Sequence, residues 1–325
     1  MVKHLTSQQI DHDKWDKCIG SSFNGNVYAL SWFLNFAHPN WEALVEDDYV
    51  SVMPLTVSKK YGLKYALQPC FVQQLGVYST NKLFPEKVKE FIDAIPKNIK
   101  YVDINLNIHN KTSALEITTF ENKTYMLDLV RDYESLRSNY SVNTKRNLKK
   151  ASKHKLQLLK NIKPNELINL FKNNKGKELS VFNDANYQAL ERIIYRSIHK
   201  NMGLVYGVYD ASNQLCAAAF FTRYREKLIF LFSGSNQKAK QNRAMFFLID
   251  EVIKQHSPSL LTLDFEGSND ENLARFYAGF GSVEVYYNSI RANRAVFPLN
   301  RLINLYLKQN ASTGDRMSVK SPRPA

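Results

Sequence analysis

The chain has 325 residues, which exceeds the length of one typical domain and favours two. Apolar residues make up 44% of the sequence and aromatic residues 12%, which is ample for a buried core. The formal net charge of +14 favours anionic partners. No apolar run approaches the ~18 residues that a membrane-spanning helix needs, so we expect no transmembrane segment.

The cysteines, histidines and amino-terminal residues argue against further classes. Cys18, Cys70 and Cys216 are scattered and odd in number, without the spacing of a metal site or a disulfide framework. The seven histidines form no metal-binding motif. Residues 1–15 lack the apolar core of a signal peptide. We therefore expect a cytoplasmic protein with reduced, buried thiols and no metal.

Residues 1–131 are predicted to form the first domain, with short helices and strands in alternation. Its main expected elements are a helix over 27–37, strands over 41–45, 50–57 and 63–67, a helix over 85–94, and strands over 101–107, 114–119 and 125–129. The alternating apolar residues of 101–107 are typical of a half-buried strand.

Residues 132–309 are predicted to form the second domain, in which helices precede a run of strands joined by short turns. Its expected elements are helices over 133–139, 142–152, 164–174 and 185–200, strands over 156–159, 203–209, 215–224 and 228–234, and helices over 240–255 and 297–308. This order indicates an α+β fold with a mixed, mostly antiparallel sheet and one long crossover helix. Residues 310–325 are mostly small, polar or proline, and we expect them to be disordered.

Residues 260–287, LLTLDFEGSNDENLARFYAGFGSVEVYY, predict a strand, loop, helix, turn and strand in succession. Four apolar residues recur there at helical spacing and share one face: Leu273, Phe276, Tyr277 and Phe280. The pattern places Asp264 and Glu266 at a strand end and Tyr277 on the helix that follows. Acid–base groups can be held at such positions without entering the core.

Two segments of the chain resemble the GNAT acyltransferase fold. Residues 272–281, Asn-Leu-Ala-Arg-Phe-Tyr-x-x-Phe-Gly, resemble its last helix and turn, and DFEGSNDENLARFYAGFG is similar to the C-terminal segment of the FemAB/FemX-like branch. Residues 140–151, YSVNTKRNLKKA, resemble the helix that opens the second half of that branch. The resemblance covers residues 138–293 and implies two tandem GNAT-like domains, with the active site in the second.

The resemblance also implies a cofactor-binding turn before the long helix. GNAT enzymes bind the pyrophosphate of coenzyme A there, through backbone N–H groups at a helix N-terminus. For an acyl-CoA or acetyl-CoA donor the expected contacts are Ser233, Gly234, Lys240, Gln241, Asn242, Arg243 and Ala244. The turn departs from the family pattern, because Asn242 stands where glycine is expected and Ala239 where glutamine or arginine is expected. Asparagine tolerates the left-handed conformation, and neighbouring basic side chains supply positive charge.

Acylation of an amine needs a base for the amine proton and an acid for the leaving group. Glu266 is the first candidate base, since it has the least evident structural role, and Asp264 is the second. Tyr277 lies where GNAT enzymes often carry a tyrosine acid, whereas FemX-like proteins commonly have lysine there. The structural alternatives are core packing for Tyr277 and a strand-end cap for Asp264.

A basic interval lies between Glu134 and Glu166, where no acidic residue occurs. It carries Arg137, Lys145, Arg146, Lys149, Lys150, Lys153, Lys155, Lys160 and Lys163. A surface of that charge density attracts tRNA or another polyanion, although a solvated helix is an equally ordinary interpretation.

The sequence thus favours an N-acyltransferase that uses acyl-CoA and a small-molecule or peptide amine as acceptor. One alternative is a FemX-like aminoacyltransferase that uses aminoacyl-tRNA and a cell-wall peptide precursor. The other is a non-catalytic binding protein on a GNAT scaffold, because a fold does not fix a function.

Overall fold

The structure is a computed structural model that describes residues 1–178, 182–267, 269–295 and residue 300. It has the predicted α+β class, with mixed and antiparallel sheets flanked by helices. The chain divides into two compact units, Met1–Asn122 with the segment from Tyr286 onward, and Lys123–Val285. This division lies upstream of the expected boundary at 131/132. The expected helix over 297–308 and the tail over 310–325 fall outside the described residues.

The first unit combines three α-helices with two groups of strands. Its elements are β1 (Val2–Leu5), α1 (His12–Ser21), α2 (Ser31–Ala37), β2 (Glu42–Glu46), β3 (Ser51–Leu55), β4 (Val57–Lys60), β5 (Leu63–Leu67), β6 (Tyr78–Ser79), α3 (Pro85–Asp93) and β7 (Ile99–Asn105). Strands β1, β2, β3 and β6 form an antiparallel sheet in that order. Strands β4, β5 and β7 are neighbours in a second sheet, where β5 and β7 run parallel.

The helix expected over 27–37 is interrupted, so that prediction is wrong in its first part. Val27–Ala29 is a single 3-10 turn, Leu30 is extended, and α2 begins at Ser31. The reason is tertiary, because the Asp16 carboxylate accepts hydrogen bonds from the N–H and the hydroxyl of Ser31, each over 2.7 Å. The apolar pattern alone does not reveal this break.

One strand, β8 (Thr118–Asp128), replaces the two short strands expected over 114–119 and 125–129. The polar residues 121–124 interrupt the apolar alternation that predicts the two short strands. A strand keeps its backbone hydrogen bonds whatever its side chains are, so a polar stretch does not end it.

The second unit contains most of the helices and the longer strands. Its elements after β8 are α4 (Tyr133–Ser138), α5 (Val142–Ala151), β9 (Gln157–Lys160), α6 (Pro164–Asn173), α7 (Lys175–Glu178), α8 (Asp184–His199), β10 (Gly203–Tyr209), β11 (Leu215–Tyr224), β12 (Lys227–Ser235), α9 (Gln237–Asn242), α10 (Ala244–His256), β13 (Thr262–Asp264) and α11 (Glu271–Ala278). The last strand, β14 (Val283–Asn293), begins in this unit and pairs with β7 in the first.

The sheet of the second unit has the order β8-β13-β12-β11-β10-β9. Its neighbours are antiparallel except β12 and β13, which are parallel and joined through α10. The mostly antiparallel sheet with one long crossover helix is therefore confirmed. Helix α10 starts at Ala244, however, and α9 precedes it, where one helix over 240–255 was expected.

Gly234 sets how closely α6 approaches the sheet. A Cβ atom at this position would lie 3.0 Å from the Phe171 nitrogen and 3.2 Å from its Cα. Phe171 is fully buried and packs edge-on against Phe232, with ring centroids 4.8 Å apart. The glycine thus allows the backbones of β12 and α6 to touch, and a side chain at this position would push the two elements apart.

We expect Gly234→Ala to destabilise the protein by about 1–3 kcal/mol, because overpacking a close backbone contact forces the helix outward. The measurement is urea unfolding. The control Lys227→Ala, a partly exposed change on the same strand, should stay within about 0.5 kcal/mol of the parent. Equal stability of Gly234→Ala and the parent would show that α6 can shift without cost.

Candidate active site

Strands β12 and β13 pair over a short distance and then separate. The pairing runs from Lys227 with Thr262 to Ile229 with Asp264. Strand β12 continues to Ser235, whereas the chain after Asp264 follows β8, since the Phe265 N–H donates to the Tyr125 carbonyl over 2.9 Å. Beyond Ile229, this edge of β12 has no strand partner among the described residues. Its backbone groups can therefore pair with a bound molecule.

A β-bulge lies on the same stretch of β12. Phe220 pairs with Phe232, but Phe221 pairs with Phe230, so Leu231 is an extra residue in the ladder. A bulge increases the local twist and re-aims backbone groups, and it often lies next to an active site. The bulge could not be predicted, because the uninterrupted apolar run LIFLF gives no signal for one extra residue.

Glu266, the first candidate base, lies directly after the point where β13 leaves β12. The residue is buried, and its backbone is left-handed with φ of 54°. Holding a non-glycine residue there costs about 1–3 kcal/mol, and such residues cluster at active sites. Burial raises the pKa of the Glu266 carboxyl well above its usual range, because the charged form loses hydration. A raised pKa makes the carboxylate a stronger base.

Asp264 holds the turn that carries Glu266. Its Oδ1 accepts hydrogen bonds from the Thr124 hydroxyl over 2.8 Å and from the Glu266 N–H over 3.0 Å. Gly267 completes the turn, and a Cβ atom there would lie 2.1 Å from the Lys123 carbonyl oxygen. These bonds match the strand-end interpretation of Asp264, and its use as a second base stays a prediction. Thr124 was not foreseen, because a hydroxyl within a strand is ordinary.

Tyr277 is fully buried in an aromatic cluster between α11 and the sheet. Its ring stacks on Phe265 with centroids 4.8 Å apart, and it meets Phe230 edge-on at 6.2 Å. Tyr125 lies at 6.2 Å on another side. Core packing accounts for these contacts, and the role of Tyr277 as proton donor stays a prediction.

The residues expected to bind coenzyme A do not form one loop. Ser233 and Gly234 lie inside β12 and are buried, with Gly234 against α6. Lys240 and Gln241 lie on α9 and are exposed. Ser233 and Gly234 thus belong to the strand expected over 228–234, which extends through Ser235, and coenzyme A binding by these residues stays a prediction.

The start of α10 differs from the expected geometry as well. Arg243, and not Asn242, takes the left-handed conformation, with φ of 63°. The Asn242 Oδ1 accepts a hydrogen bond from the Ala244 N–H over 3.1 Å, and the Asn242 Nδ2 donates to the Cys216 sulfur over 3.6 Å. One N–H at this helix start is thus already bound by Asn242. The buried Nε of Arg243 has no hydrogen-bond partner in the described part of the chain.

The basic interval forms an exposed surface along α5 and the residues after it. Thr144, Leu148 and Ala151 bury one face of α5, while its basic side chains are exposed. The side chains of Lys149, Lys150 and Lys153 are exposed and make no hydrogen bond or ion pair with any residue that the structure describes. Their charges are therefore available to an anionic partner.

A buried carboxyl that the sequence pattern did not predict, Asp250, connects α4 to α10. The Tyr133 hydroxyl donates to the Asp250 carboxylate, with oxygen distances of 3.0 and 3.1 Å. Burial raises the pKa of Asp250. Asp250 lies among the apolar residues of an amphipathic helix, so only the tertiary contact reveals its partner.

Helices long and apolar enough to cross a bilayer do not occur among the described residues. Within the same ranges, no three side chains of His, Cys, Asp or Glu lie close enough together to hold a metal ion. The three cysteines are free thiols, of which Cys18 and Cys216 are buried.

The chain has a FemX-like, tandem GNAT-type α+β fold. A solved structure of FemX matches with a TM-score of 0.62 and 12% identity, over 93% of this chain and 99% of that one. A conserved protein of unknown function from Bacteroides thetaiotaomicron matches with a TM-score of 0.58 and 10% identity, over 86% and 96% of the two chains. The L-PGS structure from Bacillus licheniformis matches with a TM-score of 0.55 and 13% identity, over 91% and 96%.

No family model and no curated protein matches the sequence. At these identities the structural matches establish the fold only. The reaction has to be inferred from the residues of the candidate site. The position of Glu266, just after β13 in the second unit, comes from the structure of this chain and not from the comparisons.

Replacing Glu266 with glutamine should change how stability depends on pH. The raised pKa of Glu266 contributes stability that is fully present below the unfolded pKa of about 4.3 and is lost as pH rises through the folded pKa. Glutamine stays neutral at every pH. The free energy of unfolding of Glu266→Gln should therefore rise relative to that of the parent by up to about 1.4 kcal/mol per pH unit between the unfolded and the folded pKa. Urea unfolding from pH 4 to 8 measures this, and a constant difference would contradict it.

Proposed function

We propose that this chain is an acyltransferase that moves an aminoacyl group from an aminoacyl-tRNA to an amine. The observation that carries the proposal is the exposed basic surface of α5, which belongs to the same unit as the separated strands β12 and β13. A phosphate backbone is held by such a surface through charge, without a dedicated pyrophosphate loop.

The changed helix start favours this donor over coenzyme A. Gly234 is buried against Phe171, and Asn242 already binds the Ala244 N–H, so the usual backbone cradle is incomplete. The resemblance to FemX-like proteins supports the same donor class.

The transfer itself requires one bond exchange and two proton movements. The amine nitrogen attacks the ester carbonyl carbon, and the bond from that carbon to the ribose oxygen breaks. The ionised Glu266 carboxylate takes the proton from the attacking amine. The released ribose oxygen gains a proton from the Tyr277 hydroxyl, which stands where FemX-like proteins commonly have lysine. The open edge of β12 and its bulge offer backbone groups that hold the aminoacyl group in place.

Acyl-CoA is the second candidate donor, and Arg243 is the observation that favours it. Its buried Nε lacks a hydrogen-bond partner among the described residues and lies at the start of α10, where a phosphate would gain from the helix dipole. Thermal-shift titration separates the two donors. A ligand at about 100 times its dissociation constant adds ~2.7 kcal/mol of stability. We expect this stabilisation with tRNA and not with coenzyme A or acetyl-CoA. The reverse result would make acyl-CoA the proposed donor.

Neutralising the basic surface should weaken tRNA binding and its salt dependence. The triple variant Lys149→Gln, Lys150→Gln, Lys153→Gln should reduce the magnitude of the slope of log K against log salt by roughly 2 to 3, because each lost phosphate contact removes about 0.7–0.9. Filter binding across a salt series measures the slope.

The matched control replaces three exposed lysines of the first unit, Lys17, Lys97 and Lys111, with glutamine. It removes the same total charge, so a non-specific charge effect would appear equally in both variants. Equal slopes for the two variants would refute the basic surface of α5 as the tRNA-binding site.

Conservative changes at the two catalytic candidates separate chemistry from packing. Glu266→Gln should lower the single-turnover transfer rate about 10²–10⁴-fold without weakening donor binding, because it removes only the base. Tyr277→Phe keeps the ring contacts and should lower the rate to a similar extent if its hydroxyl donates the proton.

The measurement is transfer from aminoacyl-tRNA to a panel of primary amines, with urea unfolding as the check on folding. Asp264→Asn tests the second candidate base, because its amide oxygen still accepts the hydrogen bond from Thr124 while the carboxylate is removed. Full turnover by Glu266→Gln would refute its role as base, and full turnover by Tyr277→Phe would leave Tyr277 with core packing alone.

A further inference from the structure

A cleft of about 560 Å³ lies on the exposed side of α11, within the second unit. Its volume falls in the range of small-molecule sites, about 300–1,000 Å³. None of the candidate catalytic or cofactor-binding residues lines it. Its floor is formed by Lys123 and Tyr125 on β8 and by Glu284 on β14.

The floor is held in one arrangement by hydrogen bonds. The Glu284 carboxylate accepts from the Tyr125 hydroxyl over 2.6 Å and from the Lys123 ammonium over 3.2 Å. Tyr125 is buried, so the carboxylate is anchored to the core. A floor whose charges are already fixed loses little conformational entropy when a ligand binds.

The wall of the cleft is one face of α11. Glu271, Ala274, Arg275 and Ala278 recur at spacings of three and four, and all four line the cleft. The opposite face, with Leu273 and Tyr277, is buried in the core. The two alanines leave room between the helix and the floor that larger side chains would fill.

Glu271 and Arg275 stand at the spacing at which glutamate and arginine pair on a helix. Neither makes an ion pair or hydrogen bond through its side chain within the described ranges. Both line the same cleft, one negative and one positive. A molecule with an ammonium group and a carboxylate can bridge them, and the planar guanidinium binds a carboxylate through two parallel hydrogen bonds.

We propose that this cleft binds a small zwitterion of the amino acid or dipeptide type, with its carboxylate on Arg275 and its ammonium group on Glu271. The cleft carries equal numbers of positive and negative side chains, Lys123 and Arg275 against Glu271 and Glu284, so it favours a ligand that is neutral overall but charged at both ends. The inference concerns binding alone and does not rest on the proposed function.

The probes are alanyl-alanine, its N-acetyl derivative and its C-terminal amide, measured by ligand-observed NMR and calorimetry on the full chain. The unmodified dipeptide should bind. Each blocked analogue should have an affinity at least about 10-fold lower, because it loses one charge-assisted hydrogen bond. Arg275→Gln should weaken the dipeptide by the same factor and leave the amide unchanged. Glu271→Gln should weaken the dipeptide and leave the N-acetyl derivative unchanged.

The matched controls are Glu134→Gln on α4 and Arg192→Gln on α8, both exposed and outside the cleft. They should bind the dipeptide as the parent does. The proposal is overturned if the parent binds no dipeptide up to about 10 mM, if the three probes bind equally, or if the control variants weaken binding as much as the cleft variants. Thermal melting of each variant excludes unfolding as the cause.

Discussion

The end of β13 is the point on which the rest of the second unit depends. A single carboxylate oxygen of Asp264 accepts hydrogen bonds from the Thr124 hydroxyl and from the Glu266 N–H, which ties the turn to β8. Gly267 then allows the turn to lie against the β8 backbone. Because the chain is held by β8, it leaves β12 after three residue pairs. The open edge of β12, the left-handed Glu266 and the position of α11 all follow from that turn.

Charge divides the same unit into surfaces with different uses. The basic side chains of α5 face solvent, and nothing acidic lies near them in sequence, so their positive field extends over a long range, as the proposed tRNA interaction requires. The cleft beside α11 is balanced in charge and acts only at short range. Glu266 and Asp250 are the opposite case, since burial raises the pKa of each and favours its neutral form. A carboxyl that can change its charge in a buried place suits proton transfer better than an exposed one does.

Much of the fold followed from local pattern. Helix α11 lies where the spacing of its apolar residues predicted a helix, and Asp270 caps its first turn. The hairpins of β10, β11 and β12 lie where alternation and turn residues placed them. The errors arose where a distant group decided the backbone. Asp16 interrupts the expected helix over 27–37 before Ser31, and β8 runs unbroken through the polar residues 121–124, where two strands were expected.

The sequence by itself determined the α+β class and the basic surface, and it singled out Glu266 as a candidate base, because these depend on residue type and short-range spacing. The tertiary structure alone decided that Glu266 is buried on a left-handed backbone, that Asp264 is engaged by Thr124, and that Leu231 forms a bulge. It also decided that Glu271 and Arg275 border a cleft. These features depend on which strands and helices meet across long separations in the chain, and spacing along a sequence carries no information on such contacts.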